Sequence, residues 1–146
     1  MKGTILLIDD NTLLMELNRE ALVQRGYRVL EAESISRGKA LFESESPDLI
    51  MMETVLPDGC GLKLCAEMRS RSKKAPVMFV SMQATEKDEL AGYDAGGSVY
   101  VKKPYTMRML MVRMEGLLRF VRRMQEDNLE KHLINQRKFR EDVIND

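Results

Sequence analysis

The sequence predicts a doubly wound α/β fold, in which helices cover both faces of a five-stranded parallel sheet and a long helix extends at the C-terminal end. Short apolar runs alternate five times with helical patterns, which is typical of parallel strands joined by right-handed crossover helices. Capping residues and glycine or proline breaks separate these segments. After the fifth apolar run, a helical pattern continues from Thr106 towards the C-terminus.

The first two strands and the helix between them set this pattern. Residues 5–8 form an apolar run that acids terminate, which predicts a buried strand. Asn11 can cap a helix over residues 12–25, and Gly26 can end it. The stripe predicted to face the core from this helix consists of Leu13, Leu14, Leu17 and Leu22. The second strand is predicted at residues 27–31.

The later elements continue the alternation. Ser34 can cap a helix that runs to about residue 44. Its inward-facing residues are predicted to be Ile35, Ala40 and Leu41. The Pro-Asp-Gly segment at residues 57–59 predicts a turn. The remaining strands are predicted at residues 49–52, 77–80 and 99–101, and the helices at residues 62–69, 86–95 and from 106 onwards.

The composition argues against several classes of protein. The 146 residues suffice for one domain of ordinary size, and 23 basic side chains balance 23 acidic ones, which argues against a nucleic-acid-binding face. No apolar run approaches the ~20 residues that span a bilayer. The apolar stretch near the N-terminus is too short for a signal peptide. We therefore expect a cytoplasmic protein that binds neither a membrane nor nucleic acid directly.

Polar side chains stand at four of the five predicted strand ends: Asp9 and Asp10 after the first strand, Glu53 after the third, Ser81 after the fourth and Lys103 after the fifth. In doubly wound sheets the functional site lies beyond the carboxyl ends of the strands, so these side chains should converge. Carboxylates suit Mg²⁺, and a hydroxyl and an ammonium can hold phosphoryl oxygens. Any one acid could be a solvated loop residue, but the whole set indicates a functional site.

The segments around these residues resemble bacterial response-regulator receiver domains over residues 1 to about 122. The matching elements are the Asp9-Asp10 pair, the segment 47–59 (Pro-Asp-Leu-Ile-Met-Met-Glu-Thr-Val-Leu-Pro-Asp-Gly), Ser81, Tyr100 and the Lys103-Pro104 pair. The resemblance implies a flavodoxin-like fold with the phosphoacceptor position at Glu53. It also implies phosphoryl-sensing positions at Ser81 and Lys103, an aromatic switch at Tyr100 that turns inward on activation, and a cis peptide bond before Pro104. A weakly held Mg²⁺ would bind through Asp9, Asp10 and Glu53.

Two positions depart from the receiver pattern. Receiver domains have aspartate where this chain has Glu53, whose extra methylene adds about 1.5 Å of reach. Because phosphoryl transfer needs a well-placed nucleophile, Glu53 is expected to be a poor acceptor. Its carboxylate is expected to pair with Lys103, or to form a hydrogen bond with Ser81. Met82 stands where the family has a small residue, and it either covers the acceptor pocket or fills the core.

The sequence leaves two functions open. In the first, the chain is an atypical receiver in a two-component system, not an enzyme, and Glu53 partly mimics a phosphorylated aspartate. It would act by binding a histidine kinase or a downstream signalling protein. In the second, it is a working phosphoacceptor that takes a phosphoryl group from a histidine kinase. A haloacid-type phosphatase is disfavoured, because residues 9–11 read Asp-Asp-Asn where that class needs Asp-x-Asp.

The long helical pattern at the C-terminal end predicts an extension beyond the receiver domain and a homodimer formed through it. The receiver domain is expected to cover residues 1–122, and residues 123–146 to form a coiled coil or a linker to an output domain. Apolar residues alternate three and four positions apart at Met107, Leu110, Met114, Leu117, Val121 and Met124, which is heptad spacing. We therefore expect dimerisation through this helix. The alternative is that the residues from 107 to 121 only pack on the domain's own sheet.

Overall fold

The computed structural model describes residues 2–71 and 75–145. The first residue of the predicted receiver domain, Met1, and the last residue of the predicted extension, Asp146, therefore lie outside the described residues. The five strands of the main sheet alternate with helices as the sequence predicts, and a short two-stranded hairpin that was not predicted follows the third of them. In chain order the elements are β1 (Thr4–Ile8), α1 (Thr12–Gln24), β2 (Arg28–Ala32), α2 (Ile35–Glu45), β3 (Leu49–Met52), β4 (Val55–Leu56), β5 (Gly59–Cys60), α3 (Gly61–Ser70), β6 (Val77–Ser81), α4 (Glu86–Asp94), β7 (Val99–Lys102) and α5 (Met107–Asn145).

Five of the strands form a parallel sheet in the order β2-β1-β3-β6-β7. Side chains alternate between the two faces of this sheet, and each face carries its own apolar cluster. One cluster joins the sheet to α1 and α5 and includes Ile5, Leu7, Leu22, Leu110 and Met114. The other joins it to α2 and α3 and includes Leu6, Ile8, Phe42, Leu64 and Phe79. The predicted doubly wound fold is therefore confirmed.

Side-chain caps fix the starts of the first two helices. The Asn11 carboxamide oxygen accepts a hydrogen bond from the backbone N–H of Leu14 at 3.1 Å, as the sequence predicts. Ser34 caps α2 in the same way.

The predicted turn at residues 57–59 joins β4 to β5, and its Asp58 carboxylate accepts the backbone N–H of Ile35 at 2.7 Å. These backbone hydrogen bonds hold the pKa of Asp58 below its ordinary value and tie the turn to α2.

Two helices bury only some of the residues predicted to face the core, among them Leu22 in α1 and Leu41 in α2. In α1, Leu13 and Leu17 are exposed, and the residues that face the core are Met15, Asn18 and Leu22. Asn18 is tolerated in this interface because its side-chain oxygen accepts a hydrogen bond from the Tyr105 hydroxyl at 3.0 Å. In α2, Ala40 is exposed, and the inward-facing line consists of Gly38, Leu41 and Phe42.

Most of the predicted heptad seam in α5 packs on the domain's own sheet. Leu110 and Met114 are fully buried, Leu117 is nearly so, and Met107 and Val121 are partly buried against the same core. The alternative that these residues pack on the domain's own sheet is therefore confirmed for Leu110, Met114 and Leu117. Dimerisation through the helix stays a prediction. Within the described ranges, no helix combines the length and the apolar character that crossing a membrane requires.

Candidate functional site

The carboxyl edge of the sheet brings together the residues that the sequence places at the strand ends. Asp9 follows β1, Glu53 follows β3, Ser81 is the last residue of β6 and Lys103 follows β7. The Lys103–Pro104 peptide bond is cis. Asp10, beside Asp9, is exposed to solvent. The convergence follows from topology, because neighbouring parallel strands all end at the same edge.

The ammonium of Lys103 lies between two carboxylates. Its Nζ is 2.7 Å from Oδ2 of Asp9 and 2.8 Å from Oε2 of Glu53. The side chains of Lys103 and Glu53 are each only 7% exposed, and that of Asp9 is 13% exposed, so water screens these ion pairs little. The predicted pairing of Glu53 with Lys103 is confirmed.

The second oxygen of Glu53 is held by Thr54, which the sequence analysis missed. Oε1 of Glu53 accepts the backbone N–H of Thr54 at 2.8 Å and its hydroxyl at 3.2 Å. The Thr54 hydroxyl is also 2.7 Å from the Ser81 hydroxyl, which in turn accepts the backbone N–H of Gln83 at 3.0 Å. The only sequence signal for this role is that Thr54 follows Glu53 directly. That signal does not determine the direction of the threonine side chain, which could equally face away from the site.

The surroundings of Glu53 and Lys103 favour their charged forms. Burial alone raises the pKa of Glu53, but the hydrogen bond and charge of Lys103, together with the Ser81 hydroxyl and the backbone N–H of Thr54, outweigh it, so the pKa lies below its ordinary value. Burial alone lowers the pKa of Lys103, but Asp9 and Glu53 outweigh it, so the pKa lies above its ordinary value. The site therefore keeps an ionised pair across the neutral pH range.

The pair should make stability depend on pH at both ends of the scale. Because the pKa of Glu53 is lowered, its contribution is full above its ordinary value of 4.5 and is lost as the pH falls through the folded-state pKa. Because the pKa of Lys103 is raised, its contribution is full below its ordinary value of 10.5 and is lost as the pH rises through the folded-state pKa. Urea unfolding of wild type and Glu53→Gln, without divalent cations, tests the acidic limb. The gap in unfolding free energy should shrink below pH 4.5, and a gap that does not vary with pH would contradict the assignment.

The predicted three-carboxylate magnesium site is not formed by these side chains as they are arranged. Among the residues that the structure describes, no group of three or more His, Cys, Asp or Glu side chains is placed to hold a metal ion. The ammonium of Lys103 occupies the position between Asp9 and Glu53 where a shared cation would lie. Binding of Mg²⁺ through Asp9 and Asp10 stays a prediction.

Tyr100 points into the domain. It is 2% exposed, its hydroxyl donates to the backbone oxygen of Gln83 at 2.6 Å, and its ring centroid lies 6.0 Å from that of Phe79. A Cβ added at Gly92 would come within 2.7 Å of the Tyr100 ring, so this glycine makes room for the inward position. Burial raises the pKa of the Tyr100 hydroxyl, which stays protonated and able to donate.

Met82 lies at the surface next to the site. Its side chain is 66% exposed, so the alternative that it fills the core is wrong. It lines an open cleft of about 320 Å³ together with Leu14, Lys103 and Tyr105. Lys103 is one of the lining residues, so Met82 borders the cleft beside this part of the site.

The sequence profile of the response regulator receiver domain matches residues 5–115 of this chain. The chain belongs to the response-regulator receiver family. Receiver domains of response regulators are signalling modules of two-component systems, and response regulators interact with histidine kinases.

Curated relatives and solved structures agree with this assignment. The chain is 35% identical over 115 residues to the KDP operon transcriptional regulatory protein KdpE of Escherichia coli, covering 79% of this chain and 51% of that protein. It is 32% identical over 116 residues to the probable transcriptional regulatory protein TcrX of Mycobacterium tuberculosis, covering 80% of this chain and 50% of that protein. The chain thus spans about half the length of these relatives.

Two solved receiver domains show the same fold. The non-phosphorylated HemR receiver domain of Leptospira biflexa is 31% identical, with a TM-score of 0.74 over 79% of this chain and 93% of that chain. A CheY-like receiver domain protein of Methanospirillum hungatei is 25% identical, with a TM-score of 0.79 over 83% of this chain and 97% of that chain.

Proposed function

We propose that the chain is an atypical receiver that signals by binding a protein partner, with Glu53 standing in part for a phosphorylated aspartate. The observation that carries this proposal is the contact set of the Glu53 carboxylate. One oxygen pairs with Lys103 at 2.8 Å, and the other accepts two hydrogen bonds from Thr54, whose hydroxyl contacts Ser81. A negative group therefore already engages the lysine and, through Thr54, the hydroxyl that would otherwise sense a phosphoryl group.

The length of the glutamate side chain explains how it reaches these groups. Compared with aspartate, the carboxylate extends about 1.5 Å further from the strand end. It supplies one negative charge, against nearly two for a phosphoryl group, so the mimicry is partial. Because both oxygens of Glu53 are engaged and the residue is 6% exposed, it is also a poor nucleophile.

The inward position of Tyr100 supports an active-like state. The family resemblance implies that this aromatic residue turns inward on activation, and here it is buried with its hydroxyl bonded to Gln83. A chain of hydrogen bonds thus runs from Thr54, beside the Glu53 carboxylate, to Ser81, then to Gln83 and then to Tyr100. It connects the carboxylate to the segment that follows β6. The partner we propose is a histidine kinase or a downstream signalling protein that binds this active-like surface.

Phosphorylation of the intact chain tests the proposal. After treatment with a small acyl-phosphate donor and Mg²⁺, intact-mass spectrometry should show no stable phosphoryl adduct on wild type. Glu53→Asp should acquire some label, because the shorter carboxylate moves away from Lys103, and Glu53→Asp/Met82→Ala should acquire more, because the cleft beside Lys103 opens. Met82→Ala alone is the matched control and should stay unlabelled.

A working phosphoacceptor is the second candidate, and the open cleft beside Lys103 favours it, since a small donor could reach the site. Under that function the wild-type chain would gain one phosphoryl mass that maps to Glu53. Such an adduct would overturn the mimicry proposal and establish the alternative.

A further inference from the structure

More than half of α5, from residue 122 onwards, projects away from the receiver body. Val121 is the final residue of α5 that packs against the core, and every side chain described from 122 to 144 is exposed. Most helix stability in proteins comes from packing an apolar face, and the described apolar side chains of this segment pack on no other part of the domain. The projecting segment nevertheless carries large apolar side chains, which include Leu129, Leu133, Phe139 and Val143, each more than half exposed.

These side chains lie along one stripe of the helix. In a helix wound at 3.5 residues per turn, as in a coiled coil, these four side chains are centred on the line through Leu129, Gln136 and Val143. The seam on that line alternates four and three positions apart and consists of Gln125, Leu129, His132, Gln136, Phe139 and Val143. It is a different stripe from the one that packs on the receiver sheet through Leu110, Met114 and Val121. The projecting helix therefore presents a second stripe, in which apolar side chains occupy three of the six seam positions.

The geometry points to a second copy of this chain as the partner, paired antiparallel along residues 125–143. In an antiparallel pair centred on Ile134, Leu129 lies opposite Phe139 of the second copy, and Gln125 lies opposite Val143. The polar positions meet each other, because His132 lies opposite Gln136 of the second copy. These two side chains already contact within one helix, with Nε2 of each 3.0 Å apart, so they are compatible as hydrogen-bonding neighbours.

Charge complementarity selects the antiparallel orientation. The positions that flank the seam place Glu126 opposite Arg140 of the second copy, and by symmetry this pair occurs twice. Leu133 meets its own symmetry mate at the centre of the same flank. A parallel pair would instead set His132 against His132 and Gln136 against Gln136, and its flanking positions would contain no acid–base pair.

Charge reversal on the full-length chain tests the pairing. Light scattering at tens of micromolar should give twice the mass of the chain for wild type. Glu126→Arg and Arg140→Glu should each raise the dissociation constant at least tenfold, and the double variant should recover most of the affinity. Asp127→Arg, the same change on the opposite side of the helix, is the matched control and should leave the dimer intact. A monomeric wild type, or single reversals that behave like the control, would overturn the proposal.

A distance measurement tests the orientation separately. With Cys60 replaced by serine and a spin label attached to a cysteine at position 123, an antiparallel pair centred on residue 134 separates the two labelled positions by about 33 Å along the axis. A parallel pair leaves them level. A short distance at this site would overturn the antiparallel arrangement even if the chain is a dimer. None of these outcomes depends on the chemistry of Glu53, so the tail and the proposed function stand or fall separately.

Discussion

Replacing Lys103 with methionine will lower the free energy of unfolding by about 3–5 kcal/mol at neutral pH, the usual cost of removing one partner from a buried ion pair. The ammonium is the cation between Asp9 and Glu53, at 2.7 and 2.8 Å. Without it, two carboxylates face each other in a space that water reaches poorly. One of them must then take up a proton or draw in a cation, and either adjustment costs stability.

Lys102 offers a matched control for this prediction. It is the neighbouring residue, it pairs with Glu89 at 3.4 Å, and its side chain is 48% exposed. Because exposed ion pairs contribute about 0–1 kcal/mol, Lys102→Met should change stability little. Adding Glu53→Gln to Lys103→Met should restore part of the loss, since it removes one of the two uncompensated charges. Urea unfolding measures all four proteins, and equal losses for the two lysine variants would refute a central role for Lys103.

Gly61→Ala should have the second largest effect, a loss of about 1–3 kcal/mol, because overpacking a tight interior forces backbone shifts. Gly61 starts α3, and its N–H donates to the backbone oxygen of Thr54 at 2.8 Å. A Cβ there would overlap the backbone oxygen of Glu53 and would press on the Cα of Thr54 at 3.2 Å. The added methyl therefore strains the backbone that carries the Glu53 carboxylate towards Lys103.

Gly116→Ala is the control for the glycine prediction. It lies inside α5, and the nearest atom to an added Cβ is a guanidinium nitrogen of Arg119 at 3.9 Å. Alanine should therefore stabilise the helix by about 0.5–1 kcal/mol through its higher helix propensity. Unfolding curves for the two variants should move in opposite directions. A Gly61→Ala protein as stable as wild type would show that the β3–α3 connection is looser than its contacts indicate.

The sequence by itself determined four of the residues that meet at the site. Asp9, Glu53, Ser81 and Lys103 each end or follow a short apolar run, and parallel strands bring such ends to one edge whatever the details of packing. The strand bounds were predicted to within about one residue, because β-branched and apolar runs between capping and turn residues are strong local signals. For the same reason the Asn11 and Ser34 caps could be predicted before the structure was known.

Only the tertiary structure decided how each helix is rotated and what its apolar side chains contact. The stripe predicted in α1 exposes Leu13 and Leu17, because the hydrogen bond from Tyr105 makes Asn18 an acceptable inward residue. The pairing of Lys103 with both Asp9 and Glu53, and the part played by Thr54, likewise depend on side-chain directions that no spacing encodes. In α5 the apolar side chains spaced three and four apart pack on the receiver core up to Val121, and only those beyond Val121 are exposed. A heptad pattern specifies that one face of a helix is buried against a partner, whereas the position of the sheet decides whether that partner is the domain's own core or a second helix.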